Sequence, residues 1–155
     1  MSITQSAKFL RTVLLTDAAT CLATGLLMTL GADIVAGLTA VPAPLLLYAG
    51  LSLFPVAIFI GLVGTRESLA LPAVWVVIVG NALWVAGSVV LLFGGMIAPN
   101  AWGYVFIGAQ AAAVAVLAEL EYFHVSPYWR NKSTRSVFQG LTGSALTSPE
   151  HPGTL

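Results

Sequence analysis

Charged residues are scarce in this chain. Only 8% of its 155 residues are Asp, Glu, Lys or Arg, whereas about 25% is usual for a soluble domain. Six basic and six acidic residues leave a net charge of zero, so no basic surface is available for a nucleic-acid partner. The length gives room for one domain. This composition argues against a soluble globular protein and against a nucleic-acid-binding protein.

Residues that carry common catalytic and metal chemistry are also few. The single cysteine, Cys21, excludes an intrachain disulfide and a dithiol redox centre. Glu121 and His124 form one Glu-x-x-His pattern, which di-iron proteins use in pairs. No nucleophile elbow, zinc motif or phosphate loop is present. We therefore expect no enzymatic activity, no metal and no other cofactor, and we interpret Glu121 and His124 as solvated boundary residues.

What the chain does have is four long apolar stretches. They cover residues 9–31, 44–64, 71–94 and 102–123, and each has the roughly 20 residues that a helix needs to cross a bilayer. The mean hydropathy of the chain is +0.94. Lipid offers no hydrogen bonds to the backbone, so each stretch must satisfy its own backbone groups as a helix. The sequence predicts an all-α fold, a membrane four-helix bundle within residues 1–124.

The chain changes character after the fourth apolar stretch. Residues 125–155 begin with a short aromatic and basic segment and continue with many Ser, Thr, Gly and Pro residues. Such a composition buries too little apolar surface to order a chain. We expect an interfacial segment followed by a mostly disordered cytoplasmic tail.

The basic residues predict the orientation. All six fall on one side of the predicted spans: Lys8, Arg11, Arg66, Arg130, Lys132 and Arg135. Lysine and arginine accumulate on the cytoplasmic side of membrane proteins. Both termini are therefore predicted to be cytoplasmic, and the compact topology suggests a bacterial inner membrane.

Polar side chains inside the apolar stretches are the candidate site residues. Lipid penalises such groups, so they mark contacts between helices or contacts with a ligand. The candidates are Asp17, Asn81, Trp84, Ser88, Gln110 and Glu119. Asp17 is either an acid near the membrane interface or an intramembrane partner. Suitable helix rotations would bring Asp17, Asn81 and Glu119 together in one polar patch.

Small residues mark a packing face on the fourth stretch. Gly108, Ala112 and Ala115 belong to a run rich in glycine and alanine, with several members four residues apart. Small residues at this spacing let two membrane helices approach closely. The fourth helix is therefore expected to lie at the centre of the bundle or to face another subunit.

Three features of the sequence carry a resemblance. They are Asp17-Ala18 in the first stretch, Asn81-Ala82-Leu83-Trp84 in the third, and the alanine-rich fourth stretch. Together they resemble small bacterial four-span integral membrane proteins of uncharacterised function, over residues 8–124. The resemblance implies the layout and no activity. Small multidrug transporters share the size and layout, but their first-span glutamate has no clear equivalent, because Asp17 lies nearer the membrane surface.

Two functional hypotheses follow from these observations. The first is a non-enzymatic accessory or structural subunit that packs with itself, as a homo-oligomer, or with a larger membrane complex. It rests on the small-residue face and on the lack of catalytic patterns. The alternative is a small transporter or binder of a lipophilic or amphipathic ligand, with Asp17, Asn81, Trp84 and Glu119 as its polar contacts. In either case the lipid bilayer surrounds the protein, and no nucleic acid is involved.

Overall fold

Helices account for all regular secondary structure in the described part of the chain. A computed structural model describes residues 3–66 and 70–145, and the side chains of residues 8–66 and 70–125. The helices are α1 (Ile3–Leu30), α2 (Ala32–Thr39), α3 (Ala43–Thr65), α4 (Leu71–Phe93) and α5 (Ala101–Ala145). The predicted all-α fold is confirmed.

Four of the helices contain segments long and apolar enough to cross a membrane. These segments are Lys8–Leu30, Ala43–Thr65, Leu71–Phe93 and Ala101–Val125. They coincide with the four predicted spans except for the last one or two residues at their ends. The chain is thus an integral membrane protein of four apolar helices. The side of the membrane on which the termini lie stays a prediction from the basic residues.

The connection between α1 and α3 contains a helix that was not predicted. Gly31 donates its N–H to the Leu27 carbonyl and accepts from Val35, so α2 continues almost directly from α1. Ala40 ends α2 in the left-handed region, with φ of 55°, and donates its N–H to the Ala36 carbonyl. A hydropathy profile cannot show this helix, because it is only eight residues long.

The backbone of α5 extends past its spanning segment. The helix continues to Ala145, whereas the sequence analysis placed a boundary at residue 125 and a tail beyond it. Residues 146–155 lie outside the described residues. The division into a spanning domain and a disordered tail stays a prediction.

The helices associate in two pairs. α1 packs along α3, and α4 packs along α5, while the contact between α1 and α5 joins the pairs. α3 and α4 approach each other at only a few positions, and the backbones of α1 and α4 do not come close. The bundle is therefore open along one side, between α3 and α4.

The joint between α2 and α5 fixes one end of the bundle. The Asn100 side chain donates to the Leu38 carbonyl over 2.8 Å and accepts from the Gly103 N–H over 3.0 Å. The second bond caps the first turn of α5. The Asn100 N–H also donates to the Thr39 carbonyl. The first turn of α5 is thus held against the end of α2.

Candidate functional site

Two acidic side chains are completely buried where three spanning helices meet. Asp17 on α1 and Glu121 on α5 are each 0% exposed, and Asn81 on α4 is 5% exposed. The Asn81 Nδ2 donates to Asp17 Oδ2 over 2.8 Å and to Glu121 Oε2 over 3.4 Å. One amide group therefore connects α1, α4 and α5. We call these three residues the acidic cluster.

The acidic cluster has more acceptors than donors. Besides Asn81, the only side chain that donates to it within the described residues is Cys21, whose Sγ lies 3.8 Å from Asp17 Oδ1. Glu121 Oε1 is buried and has no hydrogen-bond partner in that part of the chain. No described lysine or arginine contacts either acid. Burying carboxyl groups with so few donors is costly.

Helix periodicity explains why Glu121 belongs to the cluster and Glu119 does not. Val114 and Val125 are buried on α5. Glu121 lies two helical turns after Val114 and one turn before Val125, so it is on the same face. Glu119 lies two residues earlier, about 200° around the helix, and is exposed. The interpretation of Glu121 as a solvated boundary residue is wrong. The patch expected from Asp17, Asn81 and Glu119 forms with Glu121 in place of Glu119.

The open side of the bundle is a cleft that leads to the acidic cluster. It contains a wide cavity of about 540 Å³ and a deeper one of about 120 Å³. The two cavities share Gly80, Trp84 and Gln110 in their walls. Asn81 and Cys21, which both bond to Asp17, line the deeper cavity. We call the two cavities together the α3/α4 cleft.

Apolar surface makes up most of both cavities of the α3/α4 cleft, and the deeper cavity also has several polar side chains in its wall. Six polar side chains line the deeper cavity besides Trp84: Thr20, Cys21, Thr24, Ser52, Asn81 and Gln110. Apolar residues such as Leu45, Leu83, Leu91 and Phe106 dominate the wall of the wide cavity. Thr20 and Ser52 donate their hydroxyl protons to carbonyls of their own helices, so each hydroxyl oxygen keeps its capacity to accept a hydrogen bond.

The remaining predicted polar residues surround the cleft without joining the acidic cluster. Trp84 lines both cavities, and Ser88 lines the wide one. The Ser88 hydroxyl donates to the Trp84 carbonyl of its own helix over 2.9 Å. Gln110 Nε2 lies 3.7 Å from Met28 Sδ and so connects α5 with α1. Whether these residues contact a ligand stays a prediction.

The small-residue face of α5 points away from the other helices. Ala112 is exposed, Gly108 and Ala115 are partly exposed, and a Cβ added at Gly108 would meet nothing within 4 Å. Buried residues on the opposite side, such as Ile107 and Val114, pack within the bundle instead. A partner for the small-residue face stays a prediction.

Two further observations bear on the chemistry of the site. In the described part of the chain, no group of three His, Cys, Asp or Glu residues is placed to hold a metal ion. Comparisons with protein-family models, curated proteins and solved structures find no match for this chain. The function must therefore be argued from the α3/α4 cleft and the acidic cluster themselves.

Proposed function

We propose that this protein is a non-enzymatic membrane protein that binds a small amphipathic molecule in the α3/α4 cleft. One observation carries the proposal: a cleft open between two spanning helices, apolar at its wide end, ends on Asn81 and Cys21 of a buried polar site. Ligand sites typically combine an apolar wall with a few convergent polar groups. This was the alternative hypothesis from the sequence, with Glu121 now in place of Glu119.

The position of the opening favours entry from the bilayer. α3 and α4 contact each other at only a few positions, so the cleft opens between two helices that face lipid. Leu83 and Val90, which line the wide cavity, are 67% and 54% exposed. A molecule dissolved in the membrane can reach the cleft without passing through water.

The polar side chains in the wall of the deeper cavity distinguish a ligand from a lipid tail. Lipid tails are as apolar as leucine, so an apolar group gains little when it moves from lipid into the wide cavity. A polar group gains much more, because lipid offers it no hydrogen bonds. Thr20, Ser52 and Gln110, in the wall of the deeper cavity, carry groups that can make such bonds. The preferred ligand therefore has a polar end and an apolar body.

Native mass spectrometry of the gently extracted protein tests the proposal. We expect the wild type to carry a small molecule at one copy per protomer, and Gly80→Leu to carry none. Gly80 lines both cavities, and a Cβ added there meets nothing within 4 Å. A leucine at this position should fill the cleft while leaving the helix packing intact.

Ala82→Leu is the matched control for this experiment. Ala82 lies two residues further along α4, is exposed, and lines neither cavity. This variant should carry the same molecule as the wild type. Equal occupancy in wild type and Gly80→Leu, or bare protein throughout, would overturn the proposal.

A second candidate function is supported by the small-residue face of α5. Gly108 and Ala112 are four residues apart, and neither is covered by another helix of the chain. Such a face is suited to close packing against a second copy. The protein would then be a structural subunit of a homo-oligomer in a bacterial inner membrane, a role compatible with ligand binding in the cleft.

A further inference from the structure

Within the described residues, the acidic cluster has no positively charged partner. Asp17 and Glu121 are both 0% exposed and depend on the same Asn81 nitrogen. Glu121 Oε1 has no partner among the described residues, and no described lysine or arginine contacts either acid. Acidic residues inside membrane proteins are normally paired or mark the path of a ligand or ion. A positively charged ligand would supply the partner that the described residues do not.

The cluster lies directly behind the wall of the α3/α4 cleft. Asn81 and Cys21 line the deeper cavity and contact Asp17 over 2.8 and 3.8 Å. A charged group in the deeper cavity is thus separated from the acids by one side chain. In the low dielectric of the bundle, attraction over such a distance is much stronger than in water.

The cleft wall itself offers two contacts that suit a cation. Asn81 uses its nitrogen for the acids, which leaves its carbonyl oxygen as the group that can accept a hydrogen bond from a ligand. The indole of Trp84 lines both cavities, and the face of an indole ring attracts cations. An anion would meet none of these attractions.

We infer that the ligand of the α3/α4 cleft is an amphipathic organic cation, such as a protonated amine or quaternary ammonium with an apolar body. Its charge lies in the deeper cavity, facing Asn81 and the acids behind it, and its body lies in the wide cavity. This inference rests on the proposed function, because it requires the cleft to bind a ligand. It adds the sign of the ligand's charge.

Two ions of matched shape and opposite charge test the inference. Tetraphenylarsonium is a cation and tetraphenylborate an anion of nearly the same size. Binding of each to the full chain in nanodiscs of uncharged lipid is measured by equilibrium dialysis, with arsenic and boron counted by elemental mass spectrometry. Empty nanodiscs give the lipid background. We expect saturable binding of the cation at one site per protomer, and none of the anion.

Variants of the acidic cluster test whether its two acids are responsible for the binding of a cation. Asp17→Asn and Glu121→Gln keep the size of each side chain and remove the acid, and each should weaken cation binding at least tenfold. Glu119→Gln is the matched control, because Glu119 is exposed on the same helix as Glu121, and should leave binding unchanged. Circular dichroism and gel filtration check that each variant is folded. If one cluster variant does not fold, the other is sufficient for the test.

Failure of the inference can be distinguished from failure of the proposed function. Binding of both ions, lost in Gly80→Leu but unchanged in Asp17→Asn and Glu121→Gln, would overturn the choice of a cation and leave the cleft as a binding site. Binding of neither ion would also overturn the inference that the ligand is a cation. The native mass spectra of wild type and Gly80→Leu would then decide separately whether the cleft holds a ligand of another kind.

Discussion

Asn81 connects three helices in the interior of the bundle. Its side chain nitrogen reaches acids on two other helices, Asp17 on α1 and Glu121 on α5. The backbones of α1 and α4 do not come close, so this amide is the hydrogen-bonded connection between them in the described part of the chain. Removing it would break this connection and leave Glu121 without a hydrogen-bond donor among the described residues.

We predict that Asn81→Ala lowers the free energy of unfolding by about 1–3 kcal/mol, the cost of leaving buried polar groups without partners. The measurement is unfolding in mixed micelles at increasing sodium dodecyl sulfate, followed by circular dichroism. Ser88→Ala on the same helix is the control. Among the described residues, the Ser88 hydroxyl bonds only to its own helix, so its loss should change stability by about 0.5 kcal/mol or less. Equal effects of both substitutions would contradict the bridging role.

At the residue scale, sequence reasoning found two members of the acidic cluster and missed the third. Asp17 and Asn81 stand out because each interrupts an apolar run. Glu121 lies where the hydropathy declines, so it was assigned to the membrane boundary. Its burial follows from its position in the buried stripe of α5, two turns after Val114. The angular position of Glu121 on the helix was the signal that could have predicted its burial. The lower hydropathy around it indicated the membrane boundary instead.

The α1–α3 pair shows how two glycines set the distance between two helices. A Cβ added at Gly50 would lie 2.7 Å from Thr29 Oγ1, 2.9 Å from Met28 Cβ and 3.0 Å from the Gly25 carbonyl oxygen. Such distances are too short for a real side chain. The two helices therefore pack closely because residues 25 and 50 both lack side chains.

Gly50→Ala should destabilise the protein by about 1–3 kcal/mol, the usual cost of overpacking. Gly61→Ala, on the same helix, is the matched control. A Cβ there meets only Ala18 Cβ at 3.9 Å, an ordinary contact, so this variant should be neutral or more stable by up to about 1 kcal/mol, since alanine favours helix. Detergent unfolding of the two variants in parallel checks the difference. Equal stability would show that the α1–α3 distance is adjustable.

At the element scale, length and hydropathy were sufficient to predict the four spanning helices but not to predict α2. A helix must satisfy its own backbone in lipid, so the number and position of the spans follow directly from the apolar runs. α2 is short and lies between two spans, where no such constraint applies. Its position depends on the Asn100 contacts with Leu38 and Thr39, which are tertiary.

The pairing of helices into α1/α3 and α4/α5 could not be predicted from the sequence. A soluble bundle reveals its core through a polar outer face, but in lipid an apolar side chain is acceptable on either face. Ile58 and Leu83, for example, are 63% and 67% exposed on spanning helices. Hydropathy alone therefore does not show which faces meet. The α3/α4 cleft is a property of the assembled molecule.

The exposed small-residue face of α5 gives a test of assembly for the whole molecule. Ala112→Leu adds a larger side chain near Gly108, where an added Cβ would meet no atom within 4 Å. The isolated protomer should therefore tolerate it. Association with a second copy depends on close approach of the helices, so the variant should dissociate at least tenfold more readily. Mass photometry of dilute protein in detergent, or single-molecule photobleaching in liposomes, measures the population of each oligomer.

Ala82→Leu provides the comparison, because Ala82 is an exposed alanine on α4 rather than α5. A wild-type dimer that survives Ala82→Leu and is lost in Ala112→Leu would locate the interface on α5. A monomeric wild type, or a dimer insensitive to Ala112→Leu, would remove the small-residue face as an interface. The cleft would then be the one functional surface supported by the described structure, because binding there needs residues of a single protomer only.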